Sequence, residues 1–260
     1  MAGAGVEPVA RRAEVLDRLR TERASPAPID SLSLQEAYAI QYEAIQHRSA
    51  RGEQHTGWKV GCTSRAIQTA FGLAQPIRGH LMAPHVHVSG ATLNIDDYVD
   101  CAVEPEFALL IGTSVSGVGL DPHRLRAAID GVAPAIEIHN HHFFGDRPSS
   151  QELIASNGLH AGVVVGKVQP LADDIDLDLE GIGCFVNGVL VASGIGAEIM
   201  GGVLRSVGWL VGDLTLNGLQ LEAGEWVIPG SPVDLVPIRE GDTVETKVTS
   251  FGTCRARFAR

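Results

Sequence analysis

A chain of 260 residues with 45% hydrophobic content has enough apolar material to bury a substantial core, as one large domain or one with a small appendage. Its formal net charge is −11, with no Lys/Arg-rich block and no basic stripe interleaved with aromatics; this argues against nucleic acid and anionic membranes as partners while allowing a locally bound anionic substrate. Cys62, Cys101, Cys184 and Cys254 show no CxxC spacing, and the N-terminal stretch has no apolar segment of the signal-peptide kind. The expectation is a reducing, cytoplasmic setting with no membrane span, no disulfide framework and no zinc site.

In chain order, Val9, Ala13, Leu16 and Leu19 recur at helical spacing over residues 9–23, with Glu14, Asp17 and Glu22 interleaving the arginines of a solvated face. The run Ser25-Pro26-Ala27-Pro28 ends this helix. Ser33 with Glu36 three residues later is a capping box opening a second helix, which stops near Gly52. From Gly57 the stretch GWKVGCTSRAIQTAFG holds a short strand with a lysine, Lys59, that points away from Trp58 and Val60; composition alone favours a surface position. Thr63-Ser64-Arg65 reads as a helix start into Ile67 and Phe71, and residues 76–79 as a loop. Arg65 and Arg78 are either neutralisers of a substrate carboxylate or plain surface arginines.

The segment Cys101 to Gly112, CAVEPEFALLIG, carries the chemistry. Glu104 and Glu106 sit two apart in a β-prone run, so both carboxylates leave the same face of a strand. Like charges that close repel, and burying them unpaired is costly, so a cation is the simplest partner. An ExE pair on its own is more often a solvated face, but Glu137 is a third acid in the apolar run APAIEIH, and three carboxylates suit a hard divalent ion such as Mg²⁺. Between them, Asp121-Pro122 starts a helix running to Gly131, followed by a strand over 132–138. If that strand continues, Glu137, His139 and His141 share a face. HNHHFF reads rather as the start of a polar lid loop than as a source of metal ligands.

Beyond it lie the polar segment SSQELIASNGLH and a strand over 161–165. Asn187-Gly188 between β-branched runs predicts a type I′ hairpin over 184–191. The stretch GIGAEIMGG follows a hairpin strand, outside any βαβ unit, so it is not a dinucleotide loop. It leads into an apolar-faced helix stopping near Gly218. Strands over 225–228, 233–236, 243–249 and 253–258 complete an α+β pattern with a mixed or antiparallel sheet system.

Together, GWKVGCTS, GLAQPIRGHL, VEPEFALLIG, APAIEIH and SGIGAE before a Trp-Leu helix resemble the 2-keto-4-pentenoate hydratase and 4-oxalocrotonate decarboxylase group of the fumarylacetoacetate hydrolase superfamily, over residues 33 to 258. The resemblance implies a mixed β-roll of the fumarylacetoacetate hydrolase C-terminal-domain type with a smaller helical N-terminal portion, divided here as 1–80 and 81–260, in a homo-oligomer. It places Glu104, Glu106 and Glu137 on metal-binding carboxylates for Mg²⁺ or Mn²⁺, and Lys59 on a lysine that lines the active site. The implied function is a metal-dependent lyase acting on a small anionic 2-oxo acid. Hydration of a 2-oxo-4-enoate comes first, decarboxylation of a vinylogous 2-oxo acid second, and non-catalytic ligand binding third. Where relatives carry an Asp-Asn pair this chain has Ser156-Asn157, where they carry Ser-Arg it has His141-His142, and where they carry Thr-Gly it has Pro229-Gly230. The metal set is kept and the substrate-facing set altered. His142 or His160 is therefore expected to join Lys59 in proton transfer, with Arg65, Arg78, Gly79 and Asn157 binding substrate.

Overall fold

The computed structural model describes residues 8–29, 31–145 and 147–260. Two helices come first: α1 (Val9–Glu22) and α2 (Leu34–Ala50). α2 starts at the expected capping box, in which the Ser33 hydroxyl accepts from the Glu36 N–H and the Glu36 carboxylate accepts from the Ser33 N–H. Ala13, Leu16, Ala37 and Ile40 from these helices are buried in one cluster with Leu153 and Ile154 from later in the chain. Burial docks this helical layer, since a large buried side chain contributes roughly 1.5–3 kcal/mol and a cap only about 1 kcal/mol.

The remaining chain builds two sheets. β1 (His55–Gly61), α3 (Arg65–Ala70) and β2 (Ile77–Met82) precede the short strands β3 (Val86–Val88) and β4 (Ala91–Asn94) and the long β5 (Cys101–Ile111). After α4 (Pro122–Ala127) come β6 (Ile129–Asn140), α5 (Ser150–Ala155), β7 (His160–Val165), β8 (Gln169–Pro170), the hairpin β9 (Gly181–Val186) and β10 (Val189–Ile195), and α6 (Val203–Leu216). β11 (Trp226–Ile228), β12 (Val236–Pro237), β13 (Thr243–Val248) and β14 (Gly252–Ala259) follow. The larger sheet runs β2-β1-β11-β5-β6-β7-β3, with β12 added to β5 and β8 to β6, and the smaller runs β10-β9-β13-β14-β4. Both mix strand directions, β1 lying parallel to β11, β3 to β7 and β14 to β4. The hairpin turn has Asn187 and Gly188 both at positive φ, as a type I′ turn requires.

β5 and β6 are the axis of the larger sheet, paired antiparallel with Glu104 directly opposite Glu137. On one face Val103, Ile136 and Ile138 pack against Val244, Ala256 and Phe258 of the smaller sheet. Further along the same face, Phe107, Leu109 and Val132 pack under Val207, Leu210 and Val211 of α6. On the other face Leu81 of β2 meets Ala108, Ala133, Ala135, Ile228 and Val163 of β7 in a separate cluster. β2 and β7 lie near opposite ends of the strand order, so sharing one cluster requires the sheet to curl on itself. In a flat sheet β1 and β6 would stand about 14 Å apart, three strand spacings, whereas here their side chains touch. The curl therefore builds the site.

Several local expectations change. Residues 77–82, part of which reads as a loop, form β2, buried along its whole length because its side chains have core on both sides. The helix expected to reach Gly131 ends at Ala127, and Gly131 lies inside β6. A Cβ there would stand 2.5 Å from Val168 Cγ1 and 2.8 Å from the Gln169 carbonyl, so this glycine permits close approach of the chain beside β8. β6 continues to Asn140, which removes His139 and Asn140 from the supposed lid. The segment read as polar after it contains α5, nucleated by a capping box of Ser149 and Glu152. The helical layer gives way to strands by His55, so β1 and β2 belong to the larger sheet although the expected boundary at residue 80 sets them apart from it. The stretch Gly196–Leu216 is apolar enough for a membrane span, but Val203, Val207, Leu210 and Leu214 are buried in the core.

Candidate active site

Inside the curl, β1 contributes Lys59, β5 contributes Glu104 and Glu106, and β6 contributes Glu137 and His139. Lys59, Glu106, Glu137 and His139 are all buried, and Glu104 is the most open of the acids, with its side chain 21% exposed. Lys59 Nζ lies 3.1 Å from Glu137 Oε1. The same oxygen lies 2.7 Å from His160 Nδ1, at the start of β7. His139 Nε2 stands 3.0 Å from Glu104 Oε2 and 3.6 Å from Glu137 Oε2, without hydrogen-bond alignment to either. Glu106 Oε2 accepts from the Gly230 N–H at 3.1 Å. Gly230 has φ +113, and a Cβ there would stand 2.5 Å from Thr63 Cγ2, so glycine is what lets this backbone donor reach the acid.

The charges are strongly coupled. Burial pushes the Glu106 carboxyl well above the usual range, reinforced by Glu137 and Glu104. Burial acts the same way on Glu137, but Lys59 and His139 beside it outweigh that and hold it well below its ordinary value. Burial would lower His139, yet Glu137 and Glu104 carry it up to about 9. Lys59 follows the same pattern, its burial overcome by Glu137 and Glu104, so its pKa is raised. His160 is lowered to about 4, chiefly by burial, and so meets Glu137 as a neutral ring donating from Nδ1.

The turn after α5 serves Lys59. The Asn157 side chain holds the backbone of His80, accepting from its N–H at 2.7 Å and donating to its carbonyl at 2.9 Å. The Gly158 carbonyl lies 3.5 Å from Lys59 Nζ. Gly79, paired with Lys59 across the β1–β2 ladder, gives the lysine stem its space: a Cβ there would stand 3.0 Å from Lys59 Cγ and Cδ and 2.9 Å from Asn157 Oδ1. Asn157 and Gly79 thus position the lysine. Composition assigns Lys59 to the surface, and the curl of the sheet reverses that.

A cavity of about 420 Å³ opens above the cluster, lined by Lys59, Glu104, His139, Gly158 and Gly230 among others. Other expected residues fall outside its lining. The Arg78 guanidinium pairs with Asp213 and lies 4.4 Å from the centre of the Tyr38 ring, so it is committed within the fold. Arg65 is exposed and opens onto a neighbouring groove. His142 pairs with Asp100 and stacks on His141, and it is His141 that lines the cavity. His160 lies behind Glu137, against a small cavity of about 40 Å³ beneath α1 and α2. His139 is the residue whose part in the cluster sequence reasoning set aside; its signal was the period-two spacing from Glu137.

The donor set fits a divalent cation. Ligand atoms of Glu104, Glu137 and His139 all lie within 4.8 Å of one another. Among the described residues Glu106 Oε1 and Glu137 Oε2 are buried without a hydrogen-bond partner, an arrangement that is costly unless something positive answers it. Oxygen donors with one imidazole suit Mg²⁺ and the more imidazole-tolerant Mn²⁺.

The fumarylacetoacetate hydrolase C-terminal family model matches residues 73–259. The TodF product hydratase of Pseudomonas putida is 31% identical over 232 residues, 89% of this chain and 87% of that protein. A 4-oxalocrotonate decarboxylase of a Pseudomonas species is 31% identical over 224 residues, 86% of each. The solved 4-oxalocrotonate decarboxylase of Pseudomonas putida G7, complexed with magnesium and adipate, superposes with a TM-score of 0.92 at 25% identity, covering 96% of this chain and 97% of that one. With the family match taking in every strand after β1 and every acid of the cluster, this chain belongs to the fumarylacetoacetate hydrolase family.

Proposed function

We propose that this protein is a divalent-metal-dependent hydro-lyase that hydrates a 2-oxo-4-enoate, taken up as its 2-hydroxy-2,4-dienoate form. The observation that carries the reading is the opposed pair Glu104 and Glu137 with Lys59 Nζ 3.1 Å from the latter, at the base of a cavity of about 420 Å³. Glu104, Glu106 and Glu137 would hold Mg²⁺ or Mn²⁺, with His139 beside them. Such a cation supplies Lewis acidity toward the keto oxygen and carboxylate of a 2-oxo acid. Lys59 Nζ delivers a proton to the far end of the dienol and the neutral amine recovers the enol proton, giving the conjugated enone to which water then adds. Glu137, braced by His160 Nδ1 at 2.7 Å, fixes where that ammonium stands. His160 is here a positioning residue. The 2-oxo-4-enoate hydratases among the relatives support this reading.

Decarboxylation of a vinylogous 2-oxo acid is the second reading, favoured by the 0.92 TM-score to a decarboxylase. Both use the same centre and differ in the group lost or gained. Three of the four cysteines are buried as free thiols, which supports a reducing cytoplasm. The edge strand β10 exposes Val189, Leu190 and Val191, which supports a homo-oligomer. The test is incubation with a 2-hydroxy-2,4-dienoate and Mg²⁺. Loss of dienol absorbance with a 4-hydroxy-2-oxo acid as product is expected; CO₂ release from 4-oxalocrotonate with an inert dienoate would replace hydration by decarboxylation.

A further inference from the structure

Beyond the acid cluster most of the cavity lining is apolar. Ile67 and Phe71 from the α3 region, Ile77 from β2, and Leu153 and Leu159 from α5 and the turn after it form an apolar wall. The lining also carries Glu198 and Asp234, both exposed carboxylates, the latter between Val233 and Leu235. Among the described residues, Lys59 is the sole lysine or arginine lining the cavity, and it is spoken for by Glu137. His141 lines it too, but its ring lies in a group with the Asp100 carboxylate and His142. The arginines nearby are placed elsewhere. Arg78 pairs with Asp213, while Arg65 and Arg205 line a neighbouring groove that Glu198 also borders. Arg147 is exposed and outside the lining although its neighbour Pro148 is part of it. The lining hydroxyls are partly occupied: Ser231 Oγ donates to the Pro105 carbonyl, and Ser64 Oγ accepts from the Ile67 N–H to cap α3.

We propose that the site selects monocarboxylic 2-oxo acids with an apolar far end and rejects dicarboxylates, with Ile67 and Phe71 forming the selecting wall. This rests on the 2-oxo acid reading above. The first carboxylate and keto oxygen of the substrate would be answered by the cation that the buried acids hold, which leaves the far end to the apolar wall and the two exposed carboxylates. A methyl or hydrogen there loses only water. A second carboxylate gives up its hydration without gaining a cation and faces Glu198 and Asp234.

Calorimetry in Mg²⁺ with 2-oxohexanoate and 2-oxoadipate tests this directly, since the two have the same chain length and differ in a terminal methyl against a carboxylate. 2-Oxohexanoate should bind at least about 10-fold more tightly. In turnover, 2-hydroxyhexa-2,4-dienoate should exceed 2-hydroxyhepta-2,4-diene-1,7-dioate in kcat/KM by a similar factor. Ile67 is 36% exposed on a helix with no buried residue, so Ile67→Arg should fold normally and shift the binding ratio toward 2-oxoadipate. Equal binding of the two acids by the wild type overturns the proposal whatever the protein turns over. An unchanged ratio in Ile67→Arg removes Ile67 from the selecting wall and overturns that assignment. A preference for 2-oxohexanoate with no turnover of either dienoate upholds the selectivity and removes the hydratase reading instead. If neither acid binds, both fall.

Discussion

The two faces of β5 and β6 share a backbone and a register but obey different physics. Val103, Ile136 and Ile138 on one face meet the smaller sheet through contacts that are non-directional and add with area. Glu104, Glu106, Glu137 and His139, set one residue out of phase, occupy the other face, where burial opposes charge and each group survives only through a specific partner. The apolar face makes the sheet stable. The charged face draws on that stability to hold groups that would otherwise separate.

On the charged face, Lys59→Ala should lower the turnover of the folded fraction by about 10²- to 10⁴-fold, the usual worth of one acid–base group. An alanine variant within about 3-fold of wild type in kcat would move proton transfer to another residue. On the apolar face, Ile136→Ala should cost about 2–5 kcal/mol in urea denaturation while the folded fraction keeps wild-type kcat. A variant that is stable but inactive would mean that the faces are coupled.

Histidine burial sharpens the contrast at smaller amplitude. His139, between carboxylates, is raised to about 9, whereas His85 is lowered to about 3 by burial and then by Arg20 and Arg48. His80 is lowered too, chiefly by burial. For His80 and His85 the unfolded chain takes up a proton first, so their share of stability is whole above about pH 6.5 and is lost as pH falls from there. For His85 that loss extends toward about pH 3. Denaturation at a series of pH values should show falling stability on acidification below 6.5, with a shallower slope in His85→Gln. An identical slope in that variant would mean that His85 is not kept neutral by the fold.

How much of this was legible depended on range along the chain. The three glutamates could be read because period-two spacing and an apolar setting are local properties, and the capping box of α2 likewise. α5 carries the same signal in Ser149 and Glu152 but is short, and its polar start hid it. Lys59 was misplaced by composition because its burial comes from a curl that sets β1 against β6, which no local pattern encodes. Arg78 finds Asp213 across 135 residues, a pairing equally invisible in a window of sequence. The polar run HNHHFF makes His139 look like the start of a lid, whereas its pairing opposite Ala102 keeps it in the sheet and its ring among the acids.

If the charged face is a cation site, the loss should be plainest at Glu106, which is buried with Oε1 unpartnered among the described residues. Glu106→Gln removes the charge at nearly constant volume, so the fold should be retained, as shown by an unchanged circular dichroism spectrum. Titration calorimetry with Mg²⁺ should then find one site per chain in the wild type and none in the variant. Undiminished Mg²⁺ affinity in a folded Glu106→Gln protein would contradict the account.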